Sequence, residues 1–261
     1  MLRLKNLGSG SSGNATVIEG SDGLHTRRLL VDCGLGIRQL EARLGQAELT
    51  LADIDALFIT HEHADHIGCA LSVASKRGIP VWMSHGTHTA LGAPDLQGLL
   101  HIAHDMQPID LGAWQATPFT VPHDAREPLQ LTCTDGDVRL GVLTDLGHIT
   151  PHVLDQVTDC HALFLESNHD TAMLEASHYP AFLKRRVGGK YGHLANTAAA
   201  DLLSTVRHPG LTQVIAAHLS AHNNTPEMAR NALSTAMDWP PEQIEVAHPI
   251  NGTHWIRVRP S

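Results

Sequence analysis

The chain has 261 residues, and its 18 basic and 27 acidic side chains give a formal net charge of −9. This length supports one substantial core, and because no long linker or low-complexity run is present we expect a single domain over residues 1–261. The sequence lacks both an apolar run of about 18 residues and a signal-peptide core, so we expect a cytoplasmic protein with no membrane partner. The negative charge argues against nucleic-acid binding through overall charge alone.

Hydrophobic periodicity predicts strands and helices in alternation. The predicted strands cover residues 2–6, 16–19, 28–31, 56–60, 81–83, 114–121, 129–135, 139–144, 162–166, 214–218 and 244–247. The predicted helices cover residues 37–44, 66–76, 87–91, 151–157, 179–187, 197–205 and 226–237. The last helix has the clearest start signal, with Thr225 as N-cap and Pro226 in the first helical position. A hairpin is predicted to turn at residues 135–137.

A dense group of metal-ligating residues directly follows the apolar run at residues 56–59. It consists of His61, His63, Asp65 and His66. The chain leaves the sheet at the carboxyl end of a strand, where enzymes commonly place their chemistry. Residues two apart in an extended loop face the same side, so His61 and His63 can hold one ion while Asp65 and His66 reach a second. A solvated polar loop would not need imidazoles and a carboxylate at this density.

Three later predicted strands each end close to one further candidate ligand. These residues are His123, Asp145 and His218. Taken alone, His123 is as consistent with an ordinary loop histidine as with a metal ligand, and Asp145 is as consistent with a turn or cap residue as with a metal ligand. Together with the first cluster they predict a metal site completed by distant segments of the chain.

This ligand pattern resembles that of the metallo-β-lactamase superfamily, whose His-x-His-x-Asp-His motif stands here at residues 61–66. The later ligands of that superfamily match His123, Asp145 and His218. Six further stretches narrow the resemblance to the bacterial YycJ/WalJ-type nucleases over about residues 4–230. They lie at residues 8–14, 30–34, 122–128, 166–170, 184–186 and 217–220. The resemblance implies an α/β protein with the αββα four-layer sandwich. It also implies a metal-dependent nuclease, most specifically a 5′ to 3′ DNA exonuclease that acts at an accessible 5′ end and is compatible with DNA repair.

Two divalent ions per chain are expected, with zinc or manganese as the metal and iron also compatible with these ligands. The first ion is assigned to His61, His63, His123 and Asp145. The second ion is assigned to Asp65, His66, Asp145 and His218. Asp145 is expected to bridge the ions because a carboxylate has two oxygens, and a shared hydroxide is the expected nucleophile. Asp32 is either a turn residue or a partner that orients one imidazole.

Phosphodiester cleavage also requires help for the leaving oxygen and a hold on the phosphate. We predict Asp65, Glu166 and His193 as the catalytic residues. Glu166 and His193 resemble the acid and the histidine of RNA-processing superfamily members, with His193 as proton donor or phosphate contact. On sequence alone, either residue is also consistent with an ordinary capping or surface position.

Two segments are predicted to contact the substrate. Ser11, Ser12 and Asn14 belong to the Gly-Ser segment at residues 8–14, whose backbone can form an anion-binding nest. Arg185 and Arg186 belong to a run of four basic side chains within residues 184–190. A flexible loop and a solvated helix end are the alternative interpretations of these two segments.

Other functions of the same superfamily stay open at this point. A small-molecule phosphodiesterase would share the chemistry, whereas a thioester, lactone or β-lactam hydrolase would attack an acyl carbon with the same ligands. A regulator without activity is disfavoured because every ligand position is filled. The family usually has tyrosine at the position of His148, so the resemblance assigns His148 no role. The four scattered cysteines are expected to be free thiols, with Cys69 pointing into packing.

Overall fold

The computed structural model describes residues 1–260 and contains fourteen strands and nine α-helices within that range. In chain order the strands are β1 (Leu2–Gly8), β2 (Ala15–Ser21), β3 (Thr26–Val31), β4 (Ala56–Phe58), β5 (Val81–Met83), β6 (Leu100–Ile102), β7 (Ile109–Asp110), β8 (Gln115–Thr120), β9 (Leu129–Thr134), β10 (Arg139–Leu143), β11 (Ala162–Glu166), β12 (Gln213–Ala217), β13 (Ile244–Val246) and β14 (Ile256–Arg257). The helices are α1 (Ile37–Gln46), α2 (Ala64–Ile67), α3 (Ala70–Arg77), α4 (His85–Ala90), α5 (Pro151–Val157), α6 (Thr171–Ala176), α7 (Ala181–Val187), α8 (Asn196–Val206) and α9 (Pro226–Met237).

The strands form two mixed sheets of seven strands each. The first sheet has the order β14-β1-β2-β3-β4-β5-β6, and the second has the order β13-β12-β11-β10-β9-β8-β7. In the first sheet, strands β3 to β6 run parallel, and in the second, strands β10 to β13 run parallel. Each sheet therefore has one half whose strands share a carboxyl edge, where loops can bring side chains together.

Hydrophobic residues fill three layers between and outside the sheets. Residues such as Ile18 and Phe58 from the first sheet pack against Leu131 and Phe164 of the second in the layer between the sheets. A second layer joins the first sheet to helices α1 and α3, and a third joins the second sheet to helices α5, α8 and α9. Strands covered on both faces bury successive side chains, which explains why they read as continuous apolar runs. The predicted αββα order is confirmed. No helix among residues 1–260 is long and apolar enough to cross a membrane.

Apart from the predicted helix over residues 66–76, every predicted strand and helix corresponds to one observed element, with ends shifted by a few residues. The structure adds the short strands β6, β7 and β14 and the helix α6, which the periodicity did not predict. Two or three residues are too few to establish an alternating pattern, so such strands are recognised only by their pairing. The predicted hairpin between β9 and β10 is confirmed, with Gly136 at φ 94° in its turn.

The predicted helix over residues 66–76 is wrong as one continuous element. Helix α2 ends at Ile67 and helix α3 begins at Ala70. Gly68 between them has φ 31°, and a Cβ atom at this position would lie 2.4 Å from the carbonyl oxygen of Cys33. The close passage of the Cys33 backbone interrupts the helix, and this contact is tertiary.

Two ion pairs that share the buried carboxylate of Glu19 join the first three strands. Glu19 on β2 stands opposite Arg3 on β1 and Arg28 on β3, and its carboxylate accepts hydrogen bonds from their Nε atoms at 2.6 and 2.7 Å. Burial opposes ionisation of Glu19, but the two guanidinium groups hold its pKa below the usual value. The ionised Glu19 carboxylate therefore contributes its full share of the free energy of unfolding when the pH is above the unfolded-state pKa of about 4.3. This contribution is lost as the pH falls through the folded-state pKa of Glu19.

Glu19→Gln is expected to lower the free energy of unfolding at pH 7 by about 1–3 kcal/mol, because a buried charge that satisfies two guanidinium groups is removed. The difference from wild type should shrink as the pH falls below about 4.3. Urea unfolding of both proteins at pH 7 and at a pH below about 4.3 measures this difference in the free energy of unfolding. Glu41→Gln is the matched control, since the Glu41–Arg77 pair is exposed and should contribute within about 0.5 kcal/mol. Equal losses in both variants would show that these buried pairs do not stabilise the fold.

Candidate metal centre and catalytic site

Strained backbone marks one edge of the sandwich. Asp32 follows β3, Asp145 lies two residues beyond β10 and His218 follows β12, and their φ angles are 59°, 54° and 55°. The left-handed region is uncommon for side chains other than glycine and costs about 1–3 kcal/mol per residue. Parallel strands bring all three residues to the same edge, where the loop after β4 supplies the histidine cluster. Strain that persists at such a point is typical of a functional site.

One group of ligand atoms consists of three imidazoles. Nδ1 of His63 lies 3.1 Å from Nε2 of His61 and 3.4 Å from Nε2 of His123. The three nitrogens lie within 4.8 Å of one another, close enough to share one ion. The structure therefore brings together the three histidines that the sequence analysis assigned to the first ion.

A second group of ligand atoms lies beside the first. Oδ2 of Asp65 is 3.7 Å from Nε2 of both His66 and His218. Oδ2 of Asp145 is 3.2 Å from Nε2 of His66, and Asp145 also falls within ligand distance of His61. Asp145 thus stands between the two groups, as the bridging role requires, although it lies nearer to the second.

Three of these imidazoles are oriented through their other ring nitrogen. Nδ1 of His66 lies 2.7 Å from a carboxylate oxygen of Asp32. Nδ1 of His123 lies 3.0 Å from the carbonyl oxygen of Gly192, and Nδ1 of His218 lies 3.1 Å from Oε1 of Glu166. Donation from Nδ1 leaves Nε2 as the ligand atom in each ring, which is the usual outer arrangement of a metal site. The structure therefore favours the orienting role for Asp32 over the turn-residue alternative.

The donor set fits divalent cations. Within residues 1–260, Oδ2 of Asp145 and Nε2 of His218 are buried without a hydrogen-bond partner of acceptable geometry. Buried polar atoms without partners are rare in folded proteins and call for a bound group that satisfies them. Imidazole nitrogens and carboxylate oxygens are the ligands that zinc, manganese and iron accept.

Electrostatics at the site agree with this fit. Burial, together with the neighbouring His66, holds the pKa of His61 well below its usual value, so its ring is in the neutral form that binds metals. Burial opposes ionisation of Asp145, but His218 and His66 hold its pKa well below the usual value. The neighbouring carboxylates overcome burial and raise the pKa of His218 to about 10. A cation that takes the place of this proton must release it, which couples metal binding to pH.

Glu166 and His193 lie next to the candidate ligands Asp145 and His218. Glu166 is fully buried, and its Oε1 lies 2.9 Å from Nδ1 of His193. Its other oxygen accepts backbone hydrogen bonds from Leu146 and Leu194 at 3.0 and 3.2 Å. The predicted pairing of Glu166 with His193 is therefore present. Sequence reasoning missed that the same Oε1 also orients His218, because those residues are 52 positions apart in the chain.

A cavity of about 390 Å³ opens over the cluster, and its walls include Ser11, His63, Asp65, Asp145, Arg186 and His193. Arg186 donates a hydrogen bond from Nε to the Asp124 carboxylate at 2.6 Å, which holds the guanidinium group at the rim. Arg185 is exposed and lies outside the cavity lining. The sequence analysis treated these arginines as a pair, but the structure places only Arg186 at the cavity.

The Gly-Ser segment differs from its prediction. Asn14 is buried, and its side chain accepts a hydrogen bond from the Gly10 amide at 2.8 Å and donates one to the backbone of Asp65 at 3.2 Å. Asn14 thus fixes the ligand loop from within and is not placed for the substrate contact predicted for it. The Gly13 amide also donates within the segment, to Gly10. Two amides of the segment, those of Gly10 and Gly13, are therefore already used, whereas Ser11 and Ser12 are exposed and stay predicted contacts for the substrate.

Two other residues lie outside the ligand cluster. Nδ1 of His148 lies 2.8 Å from the carbonyl oxygen of Lys190, so this ring supports the segment next to the cavity. The Sγ atom of Cys69 lies 3.4 Å from that of Cys33, which confirms that Cys69 points into packing. All four cysteines, each within the described residues, are free thiols as predicted.

Comparisons with known proteins agree with this fold and site. A family model described as a β-lactamase superfamily domain matches residues 27–219. The chain is 32% identical over 237 residues to the exodeoxyribonuclease YycJ of Bacillus anthracis, covering 89% of this chain and 88% of that protein. It is 30% identical over 228 residues to the exodeoxyribonuclease WalJ of Streptococcus pneumoniae, covering 85% and 83%. The metallo-β-lactamase fold protein YhfI from Bacillus subtilis superposes with a TM-score of 0.73 at 17% identity, over 97% of this chain and 98% of that chain.

The αββα sandwich and the ligand cluster at its edge define a metal-dependent hydrolase. The chain belongs to the metallo-β-lactamase superfamily and, within it, to the family of the YycJ and WalJ exodeoxyribonucleases.

Proposed function

We propose that this protein is a metal-dependent exonuclease that removes nucleotides from DNA in the 5′ to 3′ direction and serves DNA repair. The observation that carries the nuclease function is the Glu166–His193 pair: His193 lines the cavity, and its Nδ1 is 2.9 Å from Oε1 of Glu166 and 3.5 Å from Oδ1 of Asp145. A thioester hydrolase releases a thiolate, which departs without a proton, whereas a phosphodiesterase that cuts DNA has to protonate the alkoxide of a sugar. The names of the two bacterial relatives support DNA as the substrate.

Two divalent ions per chain, zinc or manganese, form part of this proposal. His61, His63 and His123 would hold the first, Asp65, His66 and His218 the second, and Asp145 would contact both. When bound, the ions provide a water-derived nucleophile at neutral pH and offset the charge of the phosphate. In this proposal Asp65 acts as a ligand at the cavity wall, which is how it contributes to catalysis.

His193 supplies the proton for the leaving oxygen. Burial opposes protonation of His193, but the Glu166 carboxylate raises its pKa, which favours the form with a proton on both nitrogens. Nδ1–H stays with Glu166, and Nε2–H is transferred to the sugar oxygen as its bond to phosphorus breaks. Glu166 thereby acts as a positioning residue for two rings, His193 and the ligand His218.

The segment that supplies Leu183, Arg186 and Gly192 to the cavity wall carries features that suit a nucleic-acid strand. Phe182 and Tyr191 are 67% and 61% exposed and stand at either end of the basic segment that contains Arg185 and Arg186. Exposed aromatic rings interleaved with basic side chains bind single-stranded nucleic acid, because bases stack on the rings while the cations contact phosphates. This local arrangement supports the proposed binding of DNA despite the overall net charge of −9.

Digestion of end-labelled duplex and single-stranded DNA tests the proposal, with bis-p-nitrophenyl phosphate and nitrocefin assayed on the same metal-loaded preparation. Labelled 5′ ends should be released first as mononucleotides, and nitrocefin should stay intact. Cleavage of the nitrophenyl diester without digestion of DNA would indicate a small-molecule phosphodiesterase instead. Release from 3′ ends would overturn the polarity alone.

The two arginines are expected to contribute unequally. Arg186→Ala should weaken DNA binding and reduce the salt dependence of binding by about one phosphate contact, because Arg186 lies at the cavity. Arg185→Ala should have a smaller effect, and both variants should retain hydrolysis of bis-p-nitrophenyl phosphate. Titrations of DNA binding at several salt concentrations measure the slopes. An unchanged slope in Arg186→Ala would remove this residue from the path of the substrate.

Two broader expectations complete the proposal. The hydrophobic layer shared by both sheets supports one domain that includes the whole chain, since residues from β1 to β14 contribute to it. The four free thiols agree with a reducing compartment, and we place the protein in the cytoplasm, where its DNA substrate would lie.

A further inference from the structure

A second cavity, of about 780 Å³, adjoins the catalytic one. Ser11 and Tyr179 line both cavities, so the two spaces share a wall and lie side by side. The second cavity also adjoins the chain segment that carries the candidate metal ligand His218. Leu219 on its wall follows His218, and the hydroxyl of Ser9 accepts a hydrogen bond from the His218 amide at 2.8 Å. A group bound here would therefore lie next to the reacting phosphate.

The walls of this second cavity include apolar, aromatic and basic surface, and one acidic residue, Glu227, also lies on them. Leu219 and Val246 provide apolar contact, and the rings of Tyr179 and His222 stand edge to face with their centroids 6.2 Å apart. Arg230 adds a half-buried guanidinium group, which is held in place by a hydrogen bond from Nε to the Ile244 carbonyl at 3.2 Å. Apolar walls with aromatic rings take a base and a sugar, and a fixed guanidinium group takes a phosphate.

We propose that this cavity binds the terminal nucleotide of the strand, the one that hydrolysis releases. The inference rests on the proposed exonuclease function, because an exonuclease has to hold one nucleotide beyond the bond that it cuts. The volume falls within the range of about 300–1,000 Å³ that is typical of small-ligand sites and accommodates a mononucleotide. The charged Arg230 would pair with the phosphate of the released nucleotide.

Ala221→Trp tests the proposal by filling the cavity, since Ala221 lies on its wall and takes no part in the metal cluster. Deoxyadenosine monophosphate serves as the probe, and we expect it to inhibit the wild-type enzyme as a product. In Ala221→Trp, inhibition by this mononucleotide and the rate of mononucleotide release from DNA should each fall by about tenfold or more. Hydrolysis of bis-p-nitrophenyl phosphate and the metal content should stay at wild-type values.

Ala172→Trp is the matched control, because Ala172 is exposed on α6 and lies outside both cavity linings. Arg230→Gln provides a test that does not depend on adding volume, and it should weaken inhibition by the mononucleotide while leaving the nitrophenyl diester activity intact. If wild type digests DNA and the Ala221 and Arg230 variants behave like the control, the cavity does not bind the terminal nucleotide. If wild type hydrolyses the nitrophenyl diester but leaves DNA intact, the proposed function itself is wrong.

Discussion

Asp145→Ala is expected to lose at least one metal ion per chain and nearly all hydrolysis of both DNA and bis-p-nitrophenyl phosphate. Asp145 stands between the two ligand groups, and its buried Oδ2 has no hydrogen-bond partner of its own within the described chain. Removal of a shared anionic ligand would leave two cations repelling each other at short range in a buried site. Elemental analysis of the purified variant, with both activity assays, measures the effect. Two retained ions with wild-type turnover would contradict the assignment of two ions bridged by Asp145.

Two further variants separate the loss of a ligand from backbone strain. Asp145 has φ 54°, a conformation that asparagine tolerates well, so Asp145→Asn removes the charge while it preserves the turn. Asp238→Ala is the matched control for strain, because Asp238 has φ 59° at the exposed end of α9, away from the site. Asp145→Asn should still lose metal. Asp238→Ala should lose some stability but keep both metal and activity.

His193→Ala is expected to slow the digestion of DNA by about 10²- to 10⁴-fold, the usual effect of losing a general acid. The variant should keep its metal and its DNA binding. It should lose much less activity on bis-p-nitrophenyl phosphate, because nitrophenolate departs without a proton whereas a sugar oxygen needs one. The ratio of the two losses, measured on one preparation, is the informative quantity. Equal losses with intact metal content would mean that His193 holds the phosphate or the shape of the site.

His148→Ala serves as the control for His193→Ala. His148 is half-buried and bonds to the backbone of Lys190 near the cavity, but it lies outside the cavity lining. The His148→Ala variant should retain its activities on DNA and on bis-p-nitrophenyl phosphate within a few-fold of wild type. Glu166→Gln should show the same split as His193→Ala and should in addition weaken metal binding, because Glu166 also orients the ligand His218. A Glu166→Gln variant with full metal affinity would leave only the contact with His193 as its role.

The fold was largely predictable because most of its strands carry five or more residues of clear pattern. Runs such as β11 and β12 are apolar throughout, since both faces of these strands are covered. The errors fall where a distant contact decides the local conformation. The Cys33 backbone splits the predicted helix at Gly68, and the two-residue strands β7 and β14 exist only through their pairing.

The sequence by itself determined the ligand types and their positions at strand ends, because a metal site requires nitrogen and oxygen donors where the chain leaves a sheet. It also determined the alternation of strands and helices through its apolar runs, whereas the αββα order was predicted from the resemblance to the metallo-β-lactamase superfamily. Only the tertiary structure decided which atoms face which: that Glu166 serves two rings, that Asn14 is turned inward, and that Arg186 but not Arg185 reaches the cavity. These relations join residues from distant parts of the chain, and their geometry depends on how the two sheets pack, which no local pattern encodes.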